Sequence, residues 1–282
     1  MISSFRAQVE RRGLAFAGGA LLVAVAIFVL IPIVVAAVLS FAEGRLLRFP
    51  ITGWSLRWYQ DFAGSVQFTG ALKNSLVIAA CTTLLSVPAG TFAAWTLQRH
   101  FARRRRLARF ALMLPLFVPG VVLGLGLAVS FGTVTLFGWP LYGTRLIVIL
   151  GHSLWAMPLV FMIMETAFQS LDREVIEASV DLGAPPWRTC VEVVLPGVSV
   201  ALTSSALFSF VVSLNEFYMA LFLTTRDTQT LPVLMWLSLR SAGSPRLAVA
   251  SVVLLFVVLF ALALILLIAR KGAGLAVRGK AT

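Results

Sequence analysis

Residues 14–40 read LAFAGGALLVAVAIFVLIPIVVAAVLS, without one charged side chain. A helix crosses the hydrocarbon core of a bilayer with about 20 mostly apolar residues, so this run is long enough to span alone. The apolar core of a secretory signal is only about 7–15 residues. The run is therefore read as a retained first membrane helix, preceded by Arg6, Arg11 and Arg12. In lipid every backbone polar group needs a partner within the protein, which leaves helices and closed barrels. The dyad alternation of a barrel strand is absent.

Five further runs repeat the pattern, near residues 74–98, 110–131, 146–164, 198–224 and 247–269. The expected fold is an all-α membrane protein of about six transmembrane helices, with residues 1–282 forming a single transmembrane domain. The third run stays apolar as far as Thr144, too long for one span. Gly132, Gly138, Trp139, Pro140 and Gly143 predict an interfacial loop in its second part. Pro32, Pro88, Pro115, Pro119 and Pro158 lie inside spans, where proline kinks a helix. Gly120 and Gly124 have the spacing of a close-packing face.

Hydrophobic residues make up 60% of the 282 and charged ones 12%. Soluble domains run at roughly half apolar, so no separate soluble domain fits. A net charge of +12 would suit nucleic acid, but these charges sit between apolar runs and read as topology; no nucleic-acid partner is expected. One side carries Arg6, Arg11, Arg12, Arg99, Arg103, Arg104, Arg105, Arg106, Arg109, Arg173, Arg188, Arg270, Lys271, Arg278 and Lys280. The other carries Arg45, Arg48, Arg57, Lys73, Arg145, Arg226, Arg240 and Arg246. Basic residues favour the cytoplasmic side, which places both termini in the cytoplasm. The run Arg103–Arg106 reads as a topology anchor against anionic lipid. Cys81 and Cys190 have no neighbours at metal-ligand spacing and are read as packing residues.

The most polar long stretch is residues 170–196, SLDREVIEASVDLGAPPWRTCVEVVLP. It predicts two short helices on the cytoplasmic side. Ser170 or Asp172 caps the first. Leu171, Val175, Ala178 and Leu182 form one apolar stripe at helical spacing. Gly183 ends the helix, and Pro185 and Pro186 open the second. Trp187, Val191 and Val194 give that helix its own apolar face. Glu174, Glu177, Asp181 and Glu192 disfavour an anionic membrane surface, so a groove on a partner protein is the better cover for the stripe.

Glu177-Ala178-Ser179, three residues, Gly183, nine residues, Val193, one residue and Leu195-Pro196 resemble the EAA loop of ABC importer permeases. That pattern is Glu-Ala-Ala, three residues, Gly, nine residues, Ile, one residue, Leu-Pro. Ser179 for Ala and Val193 for Ile are the departures. Asn74-Ser75-Leu76, Gly90 and Ala93-Ala94 are also family-like. Ser213-Leu-Asn-Glu-Phe217, Thr230-Leu-Pro232 and Met235-Trp236 resemble the spermidine/putrescine-type branch.

The resemblance implies a type I ABC importer permease fold in a bacterial inner membrane. It implies that residues 170–196, with Glu177, Ala178, Ser179, Asp181, Gly183, Trp187, Leu195 and Pro196, dock in a cleft of a cytoplasmic ATPase. Glu177 would make a polar contact there and Gly183 would permit the turn. The implied partners are a second, non-identical permease, two ABC ATPases and an extracytoplasmic binding protein, besides membrane lipid. The chain itself would hold no cofactor and catalyse nothing; ATP and Mg would act on the ATPases. The implied substrate is a polyamine or a similar small polar solute.

Ionisable groups inside spans are costly and tend to be functional. Asn215, Glu216 and His152 are the candidates for the translocation pathway, against a structural hydrogen bond between helices. Glu165 is expected to reach the interface or the coupling loop. An ion-driven secondary transporter is the alternative, but its relays and repeated broken helices would rest on Glu216 and His152 alone. An intramembrane hydrolase fares worse, because Ser153 adjoins His152 and cannot share its helix face. Residues 274–281 approach a phosphate-binding loop, yet Ala281 stands where Ser or Thr is required.

Overall fold

Each apolar run folds as helix, the one spanning form that satisfies its backbone within the segment. The computed structural model describes the backbone of residues 2–100 and 105–278, and side chains within 16–98, 105–241, 243–265 and 267. The helices are α1 Ile2–Ser40, α2 Arg57–Gly64, α3 Val66–His100, α4 Arg105–Phe117, α5 Gly120–Phe131, α6 Arg145–Gln169, α7 Arg173–Asp181 and α8 Pro186–Thr189. A π-helical turn at Cys190–Val194 leads into α9 Leu195–Gly197, α10 Ser199–Asn215, α11 Tyr218–Leu223, α12 Leu231–Ala242 and α13 Arg246–Arg278. Arg103 and Arg104 of the expected anchor, and Gly279, Lys280 and Ala281 of the loop-like terminus, lie outside the described residues, as do the side chains of Arg6, Arg11 and Arg12.

Among the described residues four helices are long and apolar enough to cross a membrane outright, within α1, α3, α6 and α13; counting two bent pairs as spans gives six. The third run, expected as one span over 110–131, starts earlier and breaks at Pro119. There α4 and α5 meet at 96°. Proline has no N–H to continue a ladder, and its carbonyl instead starts α5 by accepting from Val122 and Leu123 N–H at 2.9 and 3.2 Å. The fifth run, expected over 198–224, breaks at Glu216–Phe217. Pro186–Gly197 and Ser199–Asn215 meet at 71° before it. The predicted interfacial loop is a two-stranded hairpin, β1 Thr135–Leu136 against β2 Trp139–Pro140. Its tip residues Phe137 and Gly138 have φ of 51° and 85°, as a tight hairpin turn requires. Helices α2 and α12 were not expected.

Contacts cluster in two units, residues 1–65 with 238–254 and residues 66–237 with 255–282. In the first, the chain after α1 folds back through a bridge between Ala42 and Trp54. Phe41 packs on the rings of Trp54 and Tyr59, Trp58 donates its indole N–H to the Gly44 carbonyl at 3.0 Å, and Arg246 pairs with Asp61.

In the second, α3, α6 and α10 pack together and α5 packs on α11. One buried cluster joins Ile78, Ile147, Val148, Met219 and Leu223. Another joins Ala94, Val160, Phe161, Met164, Phe168 and Val194. The Asn74-Ser75 pair that opens the second span acts as a clamp. Asn74 donates to the carbonyls of Asp227 and Gln229 at 2.9 and 3.0 Å and accepts from Arg145 Nε at 2.9 Å. Ser75 Oγ accepts from Leu231 N–H at 2.8 Å. The Gly120/Gly124 face is a packing face: a Cβ on Gly124 would lie 2.8 Å from Met219 Cα, where backbone cannot give way. Gly124→Leu should force α5 off α11 and destabilise the chain by about 1–3 kcal/mol. Thermal unfolding in detergent checks this, with Gly126→Leu as the control, since a Cβ there meets nothing within 4 Å.

Candidate coupling hairpin and buried polar centre

The hairpin 170–196 is held at its base by apolar contacts. Asp172 caps α7, its Oδ1 accepting from Glu174 N–H at 2.9 Å. Leu171 before the cap and Ile176 four residues after it both pack on the buried cluster around Phe161 and Phe168, in the manner of a hydrophobic staple. Leu171 also lies against Gly197, where a Cβ would come within 2.6 Å of Leu171 Cδ2. Gly183 turns the chain at φ +80°, a conformation that favours glycine. Gly183 and Ala184 N–H donate to the carbonyls of Val180 and Ser179 at 2.8 and 3.1 Å. Ser179 Oγ meets Thr189 Oγ1 at 3.0 Å and ties the two arms together.

The apolar stripe divides in two. Leu171 turns inward, while Val175, Ala178 and Leu182 face outward, Leu182 being 89% exposed. The second arm divides likewise: Val194 is buried, whereas Trp187 is 68% exposed and Val191 is exposed beside it. Glu177 and Asp181 are exposed on α7, and Glu177 lines a small cleft with Trp95, Gln98 and Arg173. Leu195 is half-buried and Pro196 exposed at the bend into α10, where the Pro196 carbonyl accepts from Ser199 Oγ at 2.8 Å.

The polar residues within the spans converge elsewhere. Glu216 sits in the break between α10 and α11. Its carboxylate oxygens accept from the N–H groups of Met219 and Ala220 at 2.8 and 3.0 Å, so a side chain supplies the acceptors that the first turn of α11 lacks. His152 Nε2 lies 3.2 Å from Glu216 Oε2, a charge-pair distance without hydrogen-bond alignment. His152 Nδ1 meets Ser213 Oγ at 2.8 Å. The side chains of His152 and Glu216 are 0% and 1% exposed. His152 and Glu216 thus meet where α6, α10 and α11 come together. Asn215 is exposed and, among the described residues, donates to the Val211 carbonyl of its own helix at 2.9 Å. Glu165 does not reach the hairpin: its Oε1 accepts from Arg105 and Arg109 of α4 at 3.4 and 2.5 Å.

In the sequence Ser213 stands out only within a family-like motif and Ile176 does not stand out; the partners of both come from the fold. Ser213 stands three residues before Glu216, a spacing that could have drawn attention to it.

Membrane-length helices with an unburied helical hairpin before the fifth span form the architecture of an importer permease. Residues 86–271 match the family described as binding-protein-dependent transport system inner membrane component. Putrescine transport system permease protein PotI of Escherichia coli (strain K12) is 32% identical over 231 residues, 80% of this chain and 82% of that one. Trehalose/maltose transport system permease protein MalG of Thermococcus litoralis is 30% identical over 237 residues, 81% of each. The structure of a bacterial ABC transporter involved in the import of the acidic polysaccharide alginate superposes with a TM-score of 0.71 at 18% identity, over 92% of this chain and 96% of that one. The chain belongs to the family of binding-protein-dependent inner membrane components and is a permease subunit of an ABC importer in the bacterial inner membrane.

Glu216→Ala would leave two buried N–H groups without acceptors and His152 without its partner. We expect a loss of about 3 kcal/mol. A double-mutant cycle of Glu216→Ala with His152→Ala should show coupling of about 1 kcal/mol or more, read by unfolding in detergent. Additive losses would mean that the two side chains do not support each other.

Proposed function

We propose that this chain forms half of a translocation pathway that opens and closes through its hairpin 170–196, docked on a separate cytoplasmic ATPase. The observation that carries the reading is the outward apolar face of Val175, Leu182, Trp187 and Val191 on a hairpin otherwise studded with charge. Such a face outside the membrane calls for a protein groove. Glu177 supplies a polar contact at its edge. In this reading both termini and the hairpin lie in the cytoplasm, and the two units together make one permease domain over 1–282.

The assembly would contain a second, non-identical permease, two ATPases and an extracytoplasmic binding protein, with ATP and Mg held by the ATPases. This chain would then be no enzyme itself. The similarity to a putrescine permease supports a polyamine or similar small polar solute as substrate. Asn215, exposed at the end of α10, would contact solute. Glu216 and His152 serve the pathway by holding the broken helix that presents Asn215.

Two measurements test this. Leu182→Asp should cut co-purification of the ATPase about ten-fold or more, as loss of an apolar anchor does, while membrane insertion stays normal; Glu177→Lys should uncouple uptake from ATP hydrolysis. Unchanged association and uptake in both would remove the hairpin from coupling. ATP hydrolysis by the reconstituted complex, challenged with polyamines, sugars and amino acids on the binding protein, should rise with polyamines. A rise with another class alone would reassign the substrate.

A further inference from the structure

Next to the hairpin, and sharing Leu171 and Arg173 with it, lies a basic cleft. A cavity of about 1170 Å³ is lined, among the described residues, by Arg105, Arg106 and Arg109 of α4, Arg173 of α7, and Gln98 and Phe110 with their neighbours. Four arginines thus line it, and two of them, Arg105 and Arg109, share the single oxygen Oε1 of Glu165. The Nε–H groups of those two arginines are buried and have no acceptor. Among the described residues, Arg106 and Arg173 make no ion pair. A buried donor without an acceptor requires an explanation. Planar guanidinium groups in excess over carboxylate have the chemistry of a phosphate site.

The cleft continues into a second feature. Leu107, Phe110, Leu114 and Phe117 are all exposed, and their spacing of three, four and three residues puts them on one face of α4. That apolar lane starts among the arginines and runs along a segment counted as part of a span. A soluble phosphate needs only the arginines; a phospholipid uses both the arginines and the lane. We propose that this cleft binds the phosphate headgroup of an anionic phospholipid, with an acyl chain lying along Leu107–Phe117. Basic pockets between membrane helices recognise such headgroups. Nothing in this assignment depends on the transported substrate.

The test uses the full-length chain in phosphatidylcholine nanodiscs doped with phosphatidylglycerol or cardiolipin, with retained lipid read by native mass spectrometry. The anionic lipids should be retained over phosphatidylcholine. Arg106→Gln with Arg173→Gln should weaken retention about thirty-fold, while Glu165 keeps its two partners. Arg106→Lys with Arg173→Lys should restore most of it, and carries the comparison should the glutamine pair fail to fold. Equal retention of phosphatidylcholine, or unchanged retention in the glutamine pair, overturns the proposal. Displacement of lipid by inorganic phosphate or ATP at millimolar concentration would make the cleft a site for soluble phosphate and overturn the lipid assignment.

Discussion

A helix that breaks inside hydrocarbon must find new partners for the backbone groups it releases, because no water reaches them. The second unit of this permease has two breaks within its apolar runs. At Pro119 one donor is missing by chemistry, and the Pro119 carbonyl starts the next helix. At Glu216 the ladder stops for want of continuing geometry, and a carboxylate takes over the acceptor role for Met219 and Ala220. Both breaks bring α5 and α11 together, where Gly124 allows contact with the Met219 backbone. The clamp of Asn74 and Ser75 solves the same problem for the loop that follows α11.

Helix α6 is the element common to these constraints and to the hairpin. Its His152 supports the break at Glu216, and its Glu165 holds the arginines of α4. Its last turn runs into Ser170, Leu171 and the cap of α7. At 25 residues it is about 37 Å long at 1.5 Å per residue. It therefore meets the base of the hairpin through Phe161 and Phe168 and the break at Glu216 through His152. That is physical contiguity with a defined element, the minimum that a claim of coupling needs.

The membrane class and the two-helix form of residues 170–196 could be read in the sequence because each depends on local composition and spacing. Gly183 shows the same: a turn needing positive φ leaves its mark in one residue. The breaks were harder to read. Pro119 was seen as a kink and is a sharp bend of 96°; Glu216 was placed within a continuous helix, since nothing local forbids one there. Its pairing with His152, 64 positions away in the chain, depends on how α6 and α10 rotate about their axes. Periodicity along a uniformly apolar helix carries no information about that rotation. Glu165 shows the same gap, its partners lying on α4 and not on the hairpin that follows it in sequence.

Ser179 shows what a departure from a family pattern can accomplish. Alanine at this position would leave Thr189 without its partner. Here the serine hydroxyl joins the two arms of the hairpin at 3.0 Å. The staple of Leu171 and Ile176 holds one arm to the core, and buried Val194 holds the other. Both arms of the hairpin are thus anchored by contacts within this chain, with Leu182 and Trp187 outward. Docking a preorganised surface avoids the entropy cost of ordering side chains and loop on contact.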